Sequence, residues 1–115
     1  MTVILPKILV WAMAVNAGFT VEEAKTMTCI AELESGFNPA IDNRGMNKNG
    51  SVDWGLYQIN DRFWFKSCGL TEKTALDPKE NTRCARQVYK ALGYKAWVAY
   101  NRSNKCKYST QIPAL

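Results

Sequence analysis

The sequence predicts an α+β fold, and three observations carry that expectation. Thr20 and Glu23 frame the start of one helix, Asp77-Pro78-Lys79-Glu80 opens another, and the stretch Ile41 to Asn60 between them loses helical periodicity. That stretch turns instead to Gly, Asn and Asp with short apolar alternations, as a small antiparallel sheet requires. Helices flanking such a sheet give the α+β class. No linker, internal repeat or low-complexity run divides the chain, so one domain over residues 1–115 is expected.

The first helix is expected from Pro6, suited to a first turn, through the apolar run Lys7 to Asn16 to a stop at Gly18. Being apolar on most faces, it is expected to be well buried. In the second helix the Thr20 hydroxyl and the Glu23 carboxylate form a capping box, each satisfying a free amide of the opening turn. Ala24, Met27, Thr28, Ala31 and Leu33 suit a largely buried helix that runs to about Ser35 and ends at Gly36, ahead of Pro39. Asn49-Gly50 is a strong two-residue hairpin signal within the sheet region. In the next helix Asp77 is the N-cap, Pro78 the first residue and Glu80 an acid in the first turn, with an amphipathic run to Leu92 and a stop at Gly93. Trp97, Val98 and Tyr100 fall in one short helical turn ahead of Cys106, in a tail that continues to Leu115.

Composition narrows the functions. The chain has 15 Lys and Arg against 10 Asp and Glu, a net charge of +5, and no His. A positive balance favours encounter with polyanions such as nucleic acid, lipid headgroups or the acidic bacterial wall. The cations are scattered and not interleaved with a base-stacking motif, so no nucleic-acid partner is expected. Without His, proton chemistry near neutral pH falls to carboxylates, Lys and Tyr. No apolar stretch reaches the ~20 residues that span a bilayer, so no membrane insertion is expected. The segment Met1 to Phe19 lacks a basic region ahead of its apolar run and has no clear cleavage site, and it reads as a structural helix, not a leader. Cys29, Cys68, Cys84 and Cys106 lack the C-x-x-C spacing of a zinc or redox site, which favours structural disulfides over buried free thiols and leaves three pairings open.

Two carboxylates stand out. Glu34 is placed in the last turn of the second helix, where the negative end of the helix dipole disfavours ionisation and helps a carboxyl hold its proton. Most helical Glu are simply solvated, and Glu32, two residues earlier on another face, serves as the internal control. Asp53 follows the Asn49-Gly50 turn among Asn47, Ser51 and Asn60, which can bond a carboxylate that stays charged; an Asp beside a turn often does no more than stabilise it. A proton donor and an anion held in contrasting surroundings are what glycoside cleavage needs. Phe63, Trp64 and Trp97 offer flat apolar faces for sugar rings, although aromatics in so short a chain commonly serve the core.

The ordered elements Cys29-Ile-Ala-Glu-Leu-Glu34-Ser-Gly-Phe37, Asn49-Gly-Ser-Val-Asp53-Trp-Gly-Leu-Tyr-Gln58-Ile-Asn60-Asp-Arg62-Phe-Trp64 and Ala96-Trp97-Val-Ala-Tyr100 with Cys106 resemble the c-type lysozymes over most of the chain. The resemblance implies a helical lobe and a small sheet with an active-site cleft between them. It further implies a bacteriolytic peptidoglycan hydrolase cutting the β-1,4 linkage between N-acetylmuramic acid and N-acetylglucosamine, with Glu34 as acid and then base and Asp53 as nucleophile or stabiliser. Lysozyme is itself the type case of that two-carboxylate mechanism, which is therefore taken over from the family. By the same resemblance Trp97 packs against the catalytic Glu, Asn60 and Asn47 hold the Asp, and Gln58, Trp64, Ala96 and Val98 line the cleft. The implied disulfides are Cys29–Cys106 and Cys68–Cys84.

Departures from the family pattern accompany these matches. Leu5 and Phe65 stand where the family has cysteine, the loop from Phe65 to Cys68 is short, and the C-terminal tail is cut back. Phe63 replaces a tryptophan of the outer sugar sites, and the acidic residue expected near Lys90 to Leu92 is absent. Only Asp77 and Glu80 lie where calcium-binding relatives carry several acids, so no metal and no cofactor are expected. The expected protein is a monomer acting outside the cell or at the bacterial wall. Three rivals are a lytic transglycosylase such as a phage carries, a non-catalytic module of the α-lactalbumin kind, and a basic protein that kills by charge alone. Asp53 and the Cys29/Cys106 pattern disfavour the first, and retention of both carboxylates disfavours the second.

Overall fold

A computed structural model describes residues 3–107. Helix α1 spans Lys7–Asn16, α2 Val21–Ser35, α3 Asp61–Cys68, α4 Glu72–Ala75, α5 Pro78–Leu92 and α6 Val98–Arg102, with a 3₁₀ turn at Tyr94–Ala96. Strands β1 (Asp53–Trp54) and β2 (Ile59–Asn60) pair antiparallel, Asp53 opposite Asn60 and Trp54 opposite Ile59. The parts of the expected terminal segments at residues 1–2 and 108–115 lie outside the described residues.

The helix caps follow the sequence signals. Thr20 and Glu23 exchange both capping-box bonds, and Gly36 takes a left-handed φ of 59° while its N–H donates to the Glu32 carbonyl, ending α2 directly after Ser35. The Asp77 side chain accepts from the amides of Lys79 and Glu80, with Pro78 the first residue of α5. Along α5, Asn81, Cys84, Ala85 and Val88 are buried at the i, i+3, i+4, i+7 spacing of a single face. No helix among the described residues is long and apolar enough to cross a membrane.

Four expectations are corrected. Helix α1 is not well buried: Val10, Met13 and Ala14 form its inner stripe, while Ile8 and Leu9 remain 47% and 43% exposed. The helix packs against α2 and α5 on one side only, so an all-round apolar sequence overfills the face available to it. Leu33 is exposed for a similar reason, pointing away from the stripe of Ala24, Met27, Thr28 and Ala31. The strands are joined by residues 55–58, not by Asn49-Gly50; the latter turn lies within the earlier loop that the Asp42–Trp54 bridge closes. The stretch from Phe65 to Cys68 is no loop but the end of α3, which Asn60 caps by accepting from the Phe63 amide.

Cys29–Cys106 joins the middle of α2 to the C-terminal segment, and Cys68–Cys84 joins α3 to α5. Phe65, at a position where the family has cysteine, packs on Trp54 with ring centroids 6.0 Å apart. Leu5 packs against the core as its backbone amide donates to the Phe37 carbonyl. Apolar contact therefore occupies both places that the sequence leaves without a bridge.

The turn between the strands is the joint of the molecule. Ser35 Oγ, next to Glu34, donates to the Leu56 carbonyl at 2.7 Å. Fully buried Asn81 of α5 accepts from the Tyr57 amide and donates to the Trp54 and Ala75 carbonyls, all at 2.8 Å. Trp97 Nε1 donates to the Tyr57 carbonyl at 3.0 Å. Gly55 has φ +75°, and a Cβ there would lie 2.5 Å from the Ala75 carbonyl oxygen and 2.6 Å from Asn81 Nδ2, so the close approach requires glycine.

Candidate active site

A cleft of about 730 Å³ opens between the helices and the sheet, and both singled-out carboxylates line it. Glu34 arrives from the last turn of α2 and Asp53 from β1. Through Ser35 and Leu56 the helix end that carries Glu34 is bonded to the turn that follows β1.

Their surroundings differ. Burial raises the Glu34 carboxyl from 4.5 to about 7; the Ala99 backbone amide pulls in the opposite direction, and the charge of Asp53 adds a further push upward. Such a group holds a proton in mildly acidic solution and can give it up at little cost. Glu32 lies outside this setting, with Lys7 and Lys105 each 4.0 Å away. Asp53 instead sits among amides. Asn60 Nδ2 donates to Oδ1 at 2.9 Å, and Asn43 and Asn47 donate to Oδ2 at 2.7 and 3.4 Å. Ser51 stands one step behind, its hydroxyl accepting from both Asn60 and Asn47.

Of the other residues singled out from sequence, Gln58, Asn60, Phe63, Trp64, Ala96, Trp97 and Val98 line the cleft. Asn47 does not; it stands behind Asp53 in the amide network, donating also to the Ser51 carbonyl. The three aromatics part company. Phe63 is 67% exposed and Trp64 half-buried, both free to meet a sugar face, whereas Trp97 is 4% exposed with its indole N–H engaged, so it forms wall and not platform. Gln58 holds a left-handed φ of 51°, and its amide donates to the carbonyls of Gly55 and Ile41. That conformation is sparsely populated outside glycine, and it keeps the side chain folded onto the turn.

Sequence reasoning missed Asn43, Asn81 and the apolar lining residues Ile59, Val88 and Leu92. Asn43 reaches Asp53 across 10 residues of sequence and Asn81 reaches Tyr57 and Trp54 across 24 and 27, and no local pattern announces them. Leu92 was legible only as a helix end, yet it is 58% exposed on the cleft.

Comparison with known proteins agrees with this geometry. A family model described as a lysozyme like domain matches residues 11–107. The chain is 41% identical over 101 residues to lysozyme C of Penaeus merguiensis, a match covering 74% of this chain and 61% of that one. It is 36% identical over 101 residues to the milk isozyme of lysozyme C from Canis lupus familiaris, covering 78% of each chain. The crystal structure of a lysozyme from Litopenaeus vannamei superposes with a TM-score of 0.77 at 32% identity, covering 94% of this chain and 91% of that one. The chain belongs to the c-type lysozyme family. Its fold is that of a family of glycoside hydrolases, and the two bridges Cys29–Cys106 and Cys68–Cys84 are the pairs the resemblance implied. The chain spans less than two thirds of the length of the Penaeus relative.

Proposed function

We propose that the chain is a muramidase that hydrolyses the β-1,4 bond between N-acetylmuramic acid and N-acetylglucosamine in bacterial peptidoglycan. The observation that carries the reading is the pair Glu34 and Asp53 in one cleft, the first in a desolvated setting that raises its carboxyl to about 7, the second held by amide donors. Family membership supports the same reading.

In this mechanism the Glu34 carboxyl donates its proton to the glycosidic oxygen as the C–O bond breaks. Asp53 stabilises or bonds the electron-poor anomeric carbon, and Glu34, now a carboxylate, takes a proton from the water that completes hydrolysis. Lysozyme is the type case of this two-carboxylate scheme. Phe63 and Trp64 supply apolar faces, while Gln58, Asn60, Ala96 and Val98 shape the walls around the sugar; Trp97 and Asn47 support the two carboxylates from behind. The net charge of +5 favours capture by an anionic wall, and two disulfides suit an extracellular site of action.

The test is digestion of purified peptidoglycan with products weighed by mass spectrometry. Hydrolysis gives muropeptides with reducing N-acetylmuramic acid ends, and activity declines as pH rises through about 7, where Glu34 loses its proton. Glu34→Gln is expected to cut the rate by roughly 10²–10⁴ while remaining folded. Products with 1,6-anhydro ends would assign a transglycosylase instead, and wild-type rates in folded Glu34→Gln would refute the mechanism.

A further inference from the structure

Helix α5 has opposite characters on opposite faces. Asn81, Cys84, Ala85 and Val88 turn inward, and on the outer side Lys79, Arg83, Arg86 and Lys90 follow one another at i, i+4, i+7 and i+11. That spacing sets four cations in one row along the helix, about 16 Å long at 1.5 Å per residue. Cations that look scattered in the sequence are thus aligned by the fold. The chain from Asn81 onward adds no counter-charge, since it holds seven Lys and Arg and no Asp or Glu.

Lys79, Arg83 and Lys90 are exposed, and half-buried Arg86 is held with its guanidinium carbon 5.5 and 6.0 Å from the ring centres of Phe19 and Tyr89. Three acids stand near the row. Asp77 caps the helix, Glu23 accepts from the Thr20 amide and the Tyr89 hydroxyl, and Glu80 pairs with Arg83 at 3.0 Å. Among the described residues Lys79, Arg86 and Lys90 form no ion pair. At Lys79 the row borders a groove of about 310 Å³ between the end of α1 and the start of α5, lined by Met13, Asn16, Ala17, Lys79, Glu80 and Arg83. None of the four cations lines the cleft, although Leu92, just beyond Lys90, does.

A row of regularly spaced cations fits a polymer that carries an anion on every repeat. Tyr89, the aromatic beside the row, is packed against Phe19 and Tyr94 at 5.4 and 4.7 Å between ring centres, with its hydroxyl bonded to Glu23. Bases of a single-stranded nucleic acid therefore find no open platform on which to stack. The peptide stems of the bacterial wall carry isolated carboxylates, whereas its polyol phosphates, bonded to the same glycan, carry a charge on each repeat. We propose that the outer face of α5 is a docking face for wall polyol phosphate, separate from the cleft and ending at its rim. The wall as source rests on the muramidase reading; the affinity for polyol phosphate does not.

The experiment measures binding of purified poly(glycerol phosphate) by calorimetry at a series of salt concentrations, with polyglutamate and a single-stranded DNA oligonucleotide of matched charge as the other two polymers. Lys79→Gln with Lys90→Gln is compared with Lys48→Gln with Lys105→Gln, which removes the same charge from exposed sites outside the row. The first pair is expected to weaken polyol-phosphate binding roughly 10-fold and to make its dependence on salt shallower by about one power of concentration, and the second to change affinity by less than about twofold. Wild type is expected to bind polyol phosphate tightest of the three polymers, and to sediment with bacterial walls less after hydrofluoric acid has stripped their polyol phosphate. Equal losses in the two paired variants would show an effect of net charge alone and overturn the proposal. So would binding of either other polymer at least as tightly through the same row, or sedimentation unchanged by stripping. Because binding and not cleavage is read, loss of the expected affinity leaves the muramidase reading standing, and failure to cleave peptidoglycan leaves the affinity measurable.

Discussion

The helical lobe and the β-lobe of this molecule are held together by different means. Around α1, α2 and α5 the order comes from apolar burial: Val10, Met27, Ile30, Ala31 and Ala85 are almost wholly shielded from water. Between Asp42 and Asn60 the side chains of Trp54, Leu56, Tyr57 and Ile59 turn into the shared core, while the face that carries Asp53 is held by side-chain hydrogen bonds that involve Asn43, Asn47, Asn49, Ser51 and Asn60. Each lobe contributes one carboxylate and imposes its character on it. The lesson is that a proton donor and its anionic partner need not be tuned separately, since building a cleft where an apolar lobe meets a polar one produces both.

Breaking the two disulfides is expected to have the largest effect on stability. Cys29–Cys106 closes a separation of 77 residues and Cys68–Cys84 one of 16. In the chain-entropy account their removal as paired Ala substitutions costs about 4.5 and about 3 kcal/mol. Denaturant titration of the two variants checks the order, and an equal or reversed pair of losses would contradict it.

Next comes the joint itself. Gly55→Ala places a side chain at φ +75° against the Ala75 carbonyl and Asn81. Backbone strain plus overpacking makes the expected loss about 3 kcal/mol, read from the same titration. Because the residue lies between the lobes, the variant is also expected to lose activity under conditions in which it remains folded.

Stability is also expected to depend on pH through Glu34. In the unfolded chain Glu34 ionises near 4.5, in the folded protein near 7, so below 4.5 both states carry the proton and burial is unopposed. As pH rises from 4.5 the unfolded state releases its proton first, and this contribution to stability is lost progressively until the folded group ionises near 7. The span amounts to roughly 3 kcal/mol. Glu34→Gln lacks it, so the variant is expected to match wild type at pH 4 and to exceed it in melting temperature at pH 8. The smallest effect is expected at the outward face of α2, where Leu33→Gln changes stability by less than about 0.5 kcal/mol, against roughly 2–5 kcal/mol for Ile30→Ala in the core.

The same division explains what the sequence revealed. Caps and stops are local chemistry, and Thr20, Glu23, Gly36, Asp77 and Pro78 mark the ends of α2 and the start of α5 where the structure has them. The cleft was legible as far as ordered motifs reached: Glu34, Asp53, Gln58, Asn60 and the Ala96 to Val98 run all line it. The β-lobe was less so. Asn49-Gly50 has the composition of a hairpin turn but spans a loop, because pairing of Trp54 with Ile59 and the anchoring of residues 55–57 by Ser35, Asn81 and Trp97 decide where the strands turn. Asn43 and Asn81 were invisible for the same reason: their partners are distant in sequence. The exposed faces of Ile8, Leu9 and Leu33 show the converse limit, since apolar character records what a residue can bury and not what the fold offers it.

The two lobes set the two carboxylates apart, and an NMR titration of the Glu34 side-chain carboxyl carbon in wild type and in Asp53→Asn tests this. The wild-type midpoint is expected near 7. In Asp53→Asn it is expected to fall, because a neighbouring negative charge is gone, and to stay above 4.5, because burial is the larger cause. A wild-type midpoint at 4.5, or one that does not move when Asp53 is neutralised, would contradict the account.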